Sequence, residues 1–396
     1  MCGIVGYIGA QAVTPILLEG LRRLEYRGYD SAGVAIQNGK GIEVQKLTGR
    51  VEALTNALEA SPLGGVSGIA HTRWATHGAP TQLNAHPHTD CTSTIALVHN
   101  GIIENADVLR IRLEQEGHEF RTETDTETLA HLIEEATGNT LEDRVIAALA
   151  HVEGAYGMAV ISADDPDKIV VARKGSPVLL GVGDGENFVA SDASAILAHT
   201  RSVVYLNDGD IAVVTSDGYR VLDLESREQS RSVAAIDWDL DAIELGGYDH
   251  FMLKEICEQP ESVRSTIRGR LLFENGSVRL GGLNLSDDDV DAIRRIVIVA
   301  CGTSWHSALV GRYVLEELTG IPVDVEYASE YRYMTQLVIP GTLTVAISQS
   351  GETADTLEAM RAARATGSKI IGIVNVVGST IAREADGGVY LHAGPE

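Results

Sequence analysis

Residues 1–9 read MCGIVGYIG. A cysteine stands directly after the initiator and is followed by small and apolar residues. Its plain explanation is a small buried hydrophobe, since free cysteine packs well. Its sharper explanation requires removal of Met1, which the small side chain of Cys2 permits. Cys2 then carries a free α-amine beside its own thiol. With an ordinary pKa of about 7.7–8.0, that amine is partly neutral near pH 7 and accepts the thiol proton, directly or through a water. One residue then supplies both nucleophile and base.

The rest of the chain narrows the choice. Its 396 residues exceed one ordinary domain, and 44% hydrophobic content supports a core in each of two or three. Fifty-six acidic against 31 basic residues give a net charge of −25, which argues against nucleic acid as a partner. The four cysteines, Cys2, Cys91, Cys257 and Cys301, form no CxxC pair, so neither a disulfide framework nor a zinc site is suggested. The amino-terminal run is broken by glycines and lacks a basic lead, unlike a signal peptide. No window approaches the about 20 apolar residues of a membrane span. A reducing cytoplasm is the expected location, and there a thiol persists as a thiol.

Residues 1 to about 235 alternate apolar runs with glycine-rich turns. IVGYI, SAGVAI, GIAHTRWA, TIALVHNGII, GMAVIS, KIVVARK, ENFVAS and DIAVVT read as strands. VTPILLEGLRRLEYRG and TDTETLAHLIEEATG read as helices, with Arg22 and Glu25 as helix-surface charges. This pattern predicts layered sheets covered by helices. Residues 236–289 read as a charged, partly helical connector. From 290 the rhythm becomes strand–helix–strand, predicting an α/β doubly wound sheet.

Several residues carry possible chemistry. VHNGIIEN puts Asn100 and Gly101 at the end of an apolar strand, where an amide and a glycine N–H face a tetrahedral oxyanion or, equally, form an Asn-Gly hairpin turn. Arg73 and Trp74 follow another strand; the arginine is a natural fork for a carboxylate or an ordinary surface charge. Asp125 grips an ammonium or caps a helix. His71, His86, His88 and His99 match no metal spacing and read as surface or packing residues. In the second half, Ser348-Gln349-Ser350-Gly351-Glu352-Thr353 lies between a strand and a helix, where hydroxyls and N–H groups cradle an anion. Thr303 and Ser304 follow another strand's carboxyl end and would flank the same crevice. Helix capping explains either loop taken alone.

Taken together, MCGIVGYIG, LRRLEYRGYDSAG, GIAHTRWATHG, NAHPH, VHNGIIEN and TDTE closely resemble the class II glutamine amidotransferase domain. The resemblance implies an α+β Ntn-hydrolase fold, with stacked antiparallel sheets flanked by helices, over residues 1–235. It implies that Cys2 attacks the glutamine side-chain amide and releases ammonia, with Asn100 and Gly101 as oxyanion hole. Arg73 would take the glutamine carboxylate and Asp125 its ammonium. Thr76 and His77 would line the pocket in a closing loop, Trp74 would gate the ammonia passage, and Arg27 would lie near the nucleophile. Residues 290–396, with ACGTSWHSA and ISQSGETADT, resemble a sugar isomerase (SIS) domain. That implies sugar-phosphate binding by Thr303, Ser304, Ser348, Gln349, Ser350 and Thr353.

The combination implies transfer of glutamine nitrogen to fructose 6-phosphate, giving glucosamine 6-phosphate, with no metal or redox cofactor. An amidotransferase with a phosphoribosyl-diphosphate partner shares the first half, but its loop is absent while SQSGET is present. In the resembling family two SIS domains follow the glutaminase, whereas here one SIS domain is expected, incomplete, and the second is absent. The chain is therefore expected to hydrolyse glutamine and to make little amino sugar. The alternative is a regulatory or dimerising module that binds sugar phosphate without synthase activity. A homodimer is implied for the full-length protein.

Overall fold

The apolar run after Cys2 forms the strand Gly3–Ile8, buried at every position. The computed structural model describes residues 2–25, 28–74, 78–236, 247–272, 274, 276–335 and 337–394. Gly3–Ile8 lies inside an eight-stranded antiparallel sheet. The spatial order is Ala234–Ala235, Ser202–Tyr205, Leu179–Val182, Asn187–Ala190, Gly3–Ile8, Ser67–Arg73, Ser31–Gln37 and Ile42–Thr48. A seven-stranded antiparallel sheet faces it, in the order Glu228–Gln229, Tyr219–Leu222, Ile211–Val214, Asp165–Lys174, Gly154–Ser162, Ile95–Ile103 and His88–Thr89.

Side-chain alternation builds the layers. Along Ile95–Ile103, Ala96 and Val98 join Ile4, Ala35 and Ile69 of the opposing sheet in an inter-sheet core. Ile95 and Leu97 point the other way, into a core with Leu129, Ile133 and Val145 of the helices Asp125–Glu135 and Leu141–Leu149. A strand with both faces covered reads as a continuous apolar run, as IALV does. On the outer side of the first sheet, the helix Val13–Leu24 buries Leu17, Leu21 and Leu24, one stripe at helical spacing. Glu25 is no idle surface charge: its Oε1 accepts from Val51 N at 2.7 Å. It thereby caps the helix Val51–Ala60, whose own N-cap residue Arg50 makes no side-chain capping bond.

The chain divides into two compact units, Met1–Asp237 and Trp238–Glu396. In the second, five parallel strands run in the order Val323–Tyr327, Arg295–Ala300, Thr342–Ser348, Lys369–Val374 and Gly387–Tyr390. Val297 and Val299 face one core and Ile296 and Ile298 the other, so this sheet is covered on both sides. The helix Phe251–Ile267 and the short hairpin after it belong to this unit; Thr266 Oγ1 donates to Leu391 O at 2.5 Å, beside the sheet's last strand. Among the described residues, no helix is long and apolar enough to cross a membrane.

Candidate functional site

Cys2 precedes the Gly3–Ile8 strand, and pairing of that strand with Ser67–Arg73 sets Gly3 opposite Thr72. Trp74, just past the partner strand, therefore meets the cysteine. Trp74 N donates to Cys2 Sγ at 3.2 Å. Burial pushes the thiol pKa up, while the Trp74 amide and the Arg73 charge act against that rise. Gly28 allows the close approach: a Cβ there would lie 2.7 Å from the Arg73 carbonyl carbon and 2.8 Å from Trp74 N. Tyr29 packs edge-on against the Trp74 ring, with centroids 5.4 Å apart.

Asn100 and Gly101 do not form a hairpin turn. They continue the Ile95–Ile103 strand, opposite Gly157 and Tyr156. Gly101 has φ +137°, and a Cβ would stand 2.0 Å from Ala155 O, so only glycine fits. Asn100 Nδ2 donates to Cys2 O at 3.0 Å, which puts the amide beside Cys2. Its orientation is fixed from behind. His71 Nε2 lies 3.0 Å from Asn100 Oδ1 and 3.2 Å from His99 O, both acceptors. Burial pushes the His71 pKa down to about 3, so the ring is neutral. A neutral ring whose Nε2 faces only acceptors carries its hydrogen there.

Behind His71 lies a buried layer of imidazoles. His71 stacks on His86 at 4.1 Å, and His86 meets His88 edge-on at 4.6 Å. His86 Nε2 and His99 Nδ1 each lie 3.0 Å from Thr126 Oγ1. All four histidines are buried, none on the surface. Burial holds His86 and His88 well below the usual histidine range. The sequence offered no sign that His71 orients Asn100; only strand register reveals it.

Arg73 ends its strand with 3% exposure. Burial lowers its pKa, and Cys2, Asp125 and Asp30 oppose that shift, so the guanidinium lies within electrostatic reach of all three. Its Nη1 and Nη2 donate to Ala79 O and Gly78 O. Asp125 opens the helix Asp125–Glu135, and its Oδ2 accepts from Ile103 N at 2.9 Å, near the end of the strand that carries Asn100 and Gly101. Cys2, Arg73, Trp74, Asn100, Gly101 and Asp125 thus converge in one region. Thr76, His77 and Arg27 lie outside the described residues. A guanidinium within electrostatic reach of the Asp125 carboxylate suits the two charged ends of an α-amino acid zwitterion.

In the second unit, numbering the parallel strands in chain order gives the spatial order 2-1-3-4-5. The switch point falls between Arg295–Ala300 and Thr342–Ser348, where open α/β sheets bind ligands. Thr303 and Ser304 lie in the first turn of the helix Gly302–Thr319, beyond one strand. Gln349, Ser350 and Thr353 follow the other, ahead of the helix Ala354–Ala365. Ser348 Oγ accepts from Gly351 N at 3.0 Å and lies 2.8 Å from Thr353 Oγ1. Gly351 has φ +67°, with a would-be Cβ 2.0 Å from Ser379 Oγ. Glu352 braces the loop from outside, accepting from Thr380 N at 2.7 Å, a role the sequence did not signal.

The profile described as "Glutamine amidotransferase domain" matches residues 71–198, and the one described as "SIS domain" matches residues 291–396. Three curated relatives are each named glutamine–fructose-6-phosphate aminotransferase [isomerizing]. The protein of Chlorobaculum tepidum is 54% identical over 402 residues, that of Thermus thermophilus 50% over 396, and that of Methanosarcina mazei 47% over 407. Each match covers 100% of this chain but only 65–66% of the relative, so the chain spans just under two thirds of their length. Among solved structures, the glutamine phosphoribosylpyrophosphate amidotransferase of B. subtilis aligns with TM-score 0.51 and 21% identity. That alignment covers 98% of this chain and 90% of the other, and it is a likeness of fold alone. With 47–54% identity to these relatives along its whole length, the chain belongs to the glutamine–fructose-6-phosphate aminotransferase family.

Proposed function

We propose that the first unit hydrolyses glutamine at Cys2 and that the ammonia serves the conversion of fructose 6-phosphate into glucosamine 6-phosphate. The observation that carries this reading is the placement of Asn100 Nδ2 beside Cys2, 3.0 Å from its carbonyl, with His71 holding the amide. Once Met1 is removed, the Cys2 α-amine takes the thiol proton and Sγ attacks the side-chain amide carbon. Asn100 Nδ2 and Gly101 N–H receive the oxyanion, each such donor being worth about 3–4 kcal/mol. The amine returns its proton to the leaving nitrogen, ammonia departs, and a thioester remains. Water, deprotonated by the same amine, releases glutamate. Arg73 and Asp125 bind the substrate's carboxylate and ammonium, with Trp74 beside Cys2.

In the second unit, the helix N-termini at Thr303–Ser304 and Ser348–Thr353 support binding of a sugar phosphate. The exposed stripe of Val310, Tyr313, Val314 and Leu318 on one helix supports a homodimer. Four free cysteines support a reducing, cytoplasmic setting. The test is to supply glutamine and fructose 6-phosphate and measure glutamate and glucosamine 6-phosphate separately. The expected result is glutamate release that Cys2→Ser abolishes. Undiminished release by Cys2→Ser, or by protein that retains Met1, overturns the mechanism. Amino sugar that tracks glutamate shows both halves of the reaction running on this chain, and glutamate alone shows ammonia release only.

A further inference from the structure

We infer that Cys91, His118, His131 and Glu134 form a binding site for a divalent transition metal of the zinc class, separate from the glutamine pocket. Their donor atoms all lie within 4.8 Å of one another. Cys91 Sγ is 3.5 Å from both His118 Nδ1 and His131 Nδ1. Glu134 Oε2 is 3.1 Å from the same two nitrogens. A tetrahedral ion with bonds of about 2.0–2.3 Å has ligand-to-ligand edges of about 3.3–3.8 Å. The four separations match that shell to within a few tenths of an ångström.

The chemistry of the donors selects the ion. A thiolate and two imidazoles suit zinc or its neighbours, not magnesium or calcium. Four protein ligands close the shell, which marks a structural site, not a catalytic one. His131 is 1% exposed, and its other nitrogen, Nε2, lies 3.8 Å from Glu127 Oε1. Glu127 is itself anchored by Arg121 N, Thr122 N and Thr122 Oγ1. Glu127 thus stands behind the ligand ring at ion-pair distance, too long for a hydrogen bond. The ligands come from three places: Cys91 follows the strand His88–Thr89, His118 follows the helix Ala106–Gln115, and His131 and Glu134 lie one turn apart on Asp125–Glu135. An ion there would clip these segments together and brace the helix that Asp125 opens.

The test uses the whole purified chain, stripped with a chelator and titrated with Co2+. The expected result is one equivalent bound, with the visible spectrum of tetrahedral cobalt and a thiolate-to-cobalt charge-transfer band. A processed Cys2, with amine and thiol together, is itself a chelator, so Cys2→Ser is titrated in parallel and retains both signals. Cys91→Ser loses the charge-transfer band, and its affinity falls at least about tenfold; His118→Asn, at the partly exposed rim, weakens binding by a similar factor. Zn2+ raises the melting temperature of Cys2→Ser but not of Cys91→Ser. Absence of the tetrahedral spectrum, or a spectrum that survives Cys91→Ser and vanishes with Cys2→Ser, overturns the inference. Should Cys91→Ser fail to fold, His118→Asn decides: undiminished affinity refutes the site.

Discussion

His71 holds one hydrogen on Nε2, and that hydrogen decides which way the Asn100 amide faces. The proposed oxyanion donor is therefore oriented by a buried neighbouring ring. Replacing His71 with Ala frees the amide to rotate, and kcat for glutamine hydrolysis is expected to fall about 10–100-fold while KM changes little. Asn100→Ala, which removes the donor itself, is expected to cost about 10²–10³. In the Asn100→Ala background His71→Ala should add almost nothing, because both act through one bond. Steady-state kinetics of the three variants checks this, and additive losses would assign His71 a different role. Because its pKa is about 3, His71 also contributes no limb to the pH profile near neutrality. The glutaminase rate should rise with pH through the ordinary α-amine range of about 7.7–8.0, with no step near 6.5.

Among the elements, the Ile95–Ile103 strand does most to organise the proposed glutamine site, and the sequence showed it only in part. IALV was legible as a buried strand because both faces are apolar, but Asn100-Gly101 read equally well as a turn. Register against Gly154–Ser162 settles that, and register depends on a partner more than fifty residues away. Other elements were missed for physical reasons. The helix Ala106–Gln115 buries only Leu109 and Leu113, too little for a stripe. The strand Ile42–Thr48 is nowhere fully buried and shows no clean alternation. Cys91 was silent because its neighbours arrive from one helix and from the loop after another. The Cys2, Arg73 and Asp125 stretches were legible because each joins an apolar element to an unusual polar residue.

Two predictions belong at this scale. Gly101→Ala should destabilise the first unit by at least about 1–3 kcal/mol, since alanine at φ +137° is strained and its Cβ collides with Ala155 O; the urea midpoint reads the loss. The imidazole layer makes the second. His71, His86 and His88 bind protons less readily folded than unfolded, so the unfolded state gains protons as pH drops below about 6.5 and stability falls. For His71 the loss is about 2 kcal/mol between pH 6.5 and pH 5. Urea melts at the two pH values measure it, and His88→Gln should give a shallower dependence. An unchanged slope would place the acid sensitivity elsewhere.

At the scale of the whole molecule, the two units divide the proposed labour. The proposed nucleophile, oxyanion donors and zwitterion clamp lie within Met1–Asp237, while both proposed sugar-phosphate loops lie within Trp238–Glu396. A ligand stabilises the unit that binds it by an amount set by its concentration relative to Kd, about 2.7 kcal/mol at 100 times Kd. For units of this size that corresponds to a melting shift of about 5–10 °C. Calorimetry of the intact chain should show two transitions. Fructose 6-phosphate should raise one of them, and a thiol-reactive glutamine analogue that labels Cys2 should raise the other. Gly351→Ala should abolish the sugar-phosphate shift, because its Cβ would lie 2.0 Å from Ser379 Oγ and force the cradle apart. It should leave the response to the glutamine analogue in place. A single transition moved equally by both ligands would mean that the units do not respond separately. A fructose 6-phosphate shift that survives Gly351→Ala would move the phosphate away from the Ser348–Thr353 loop.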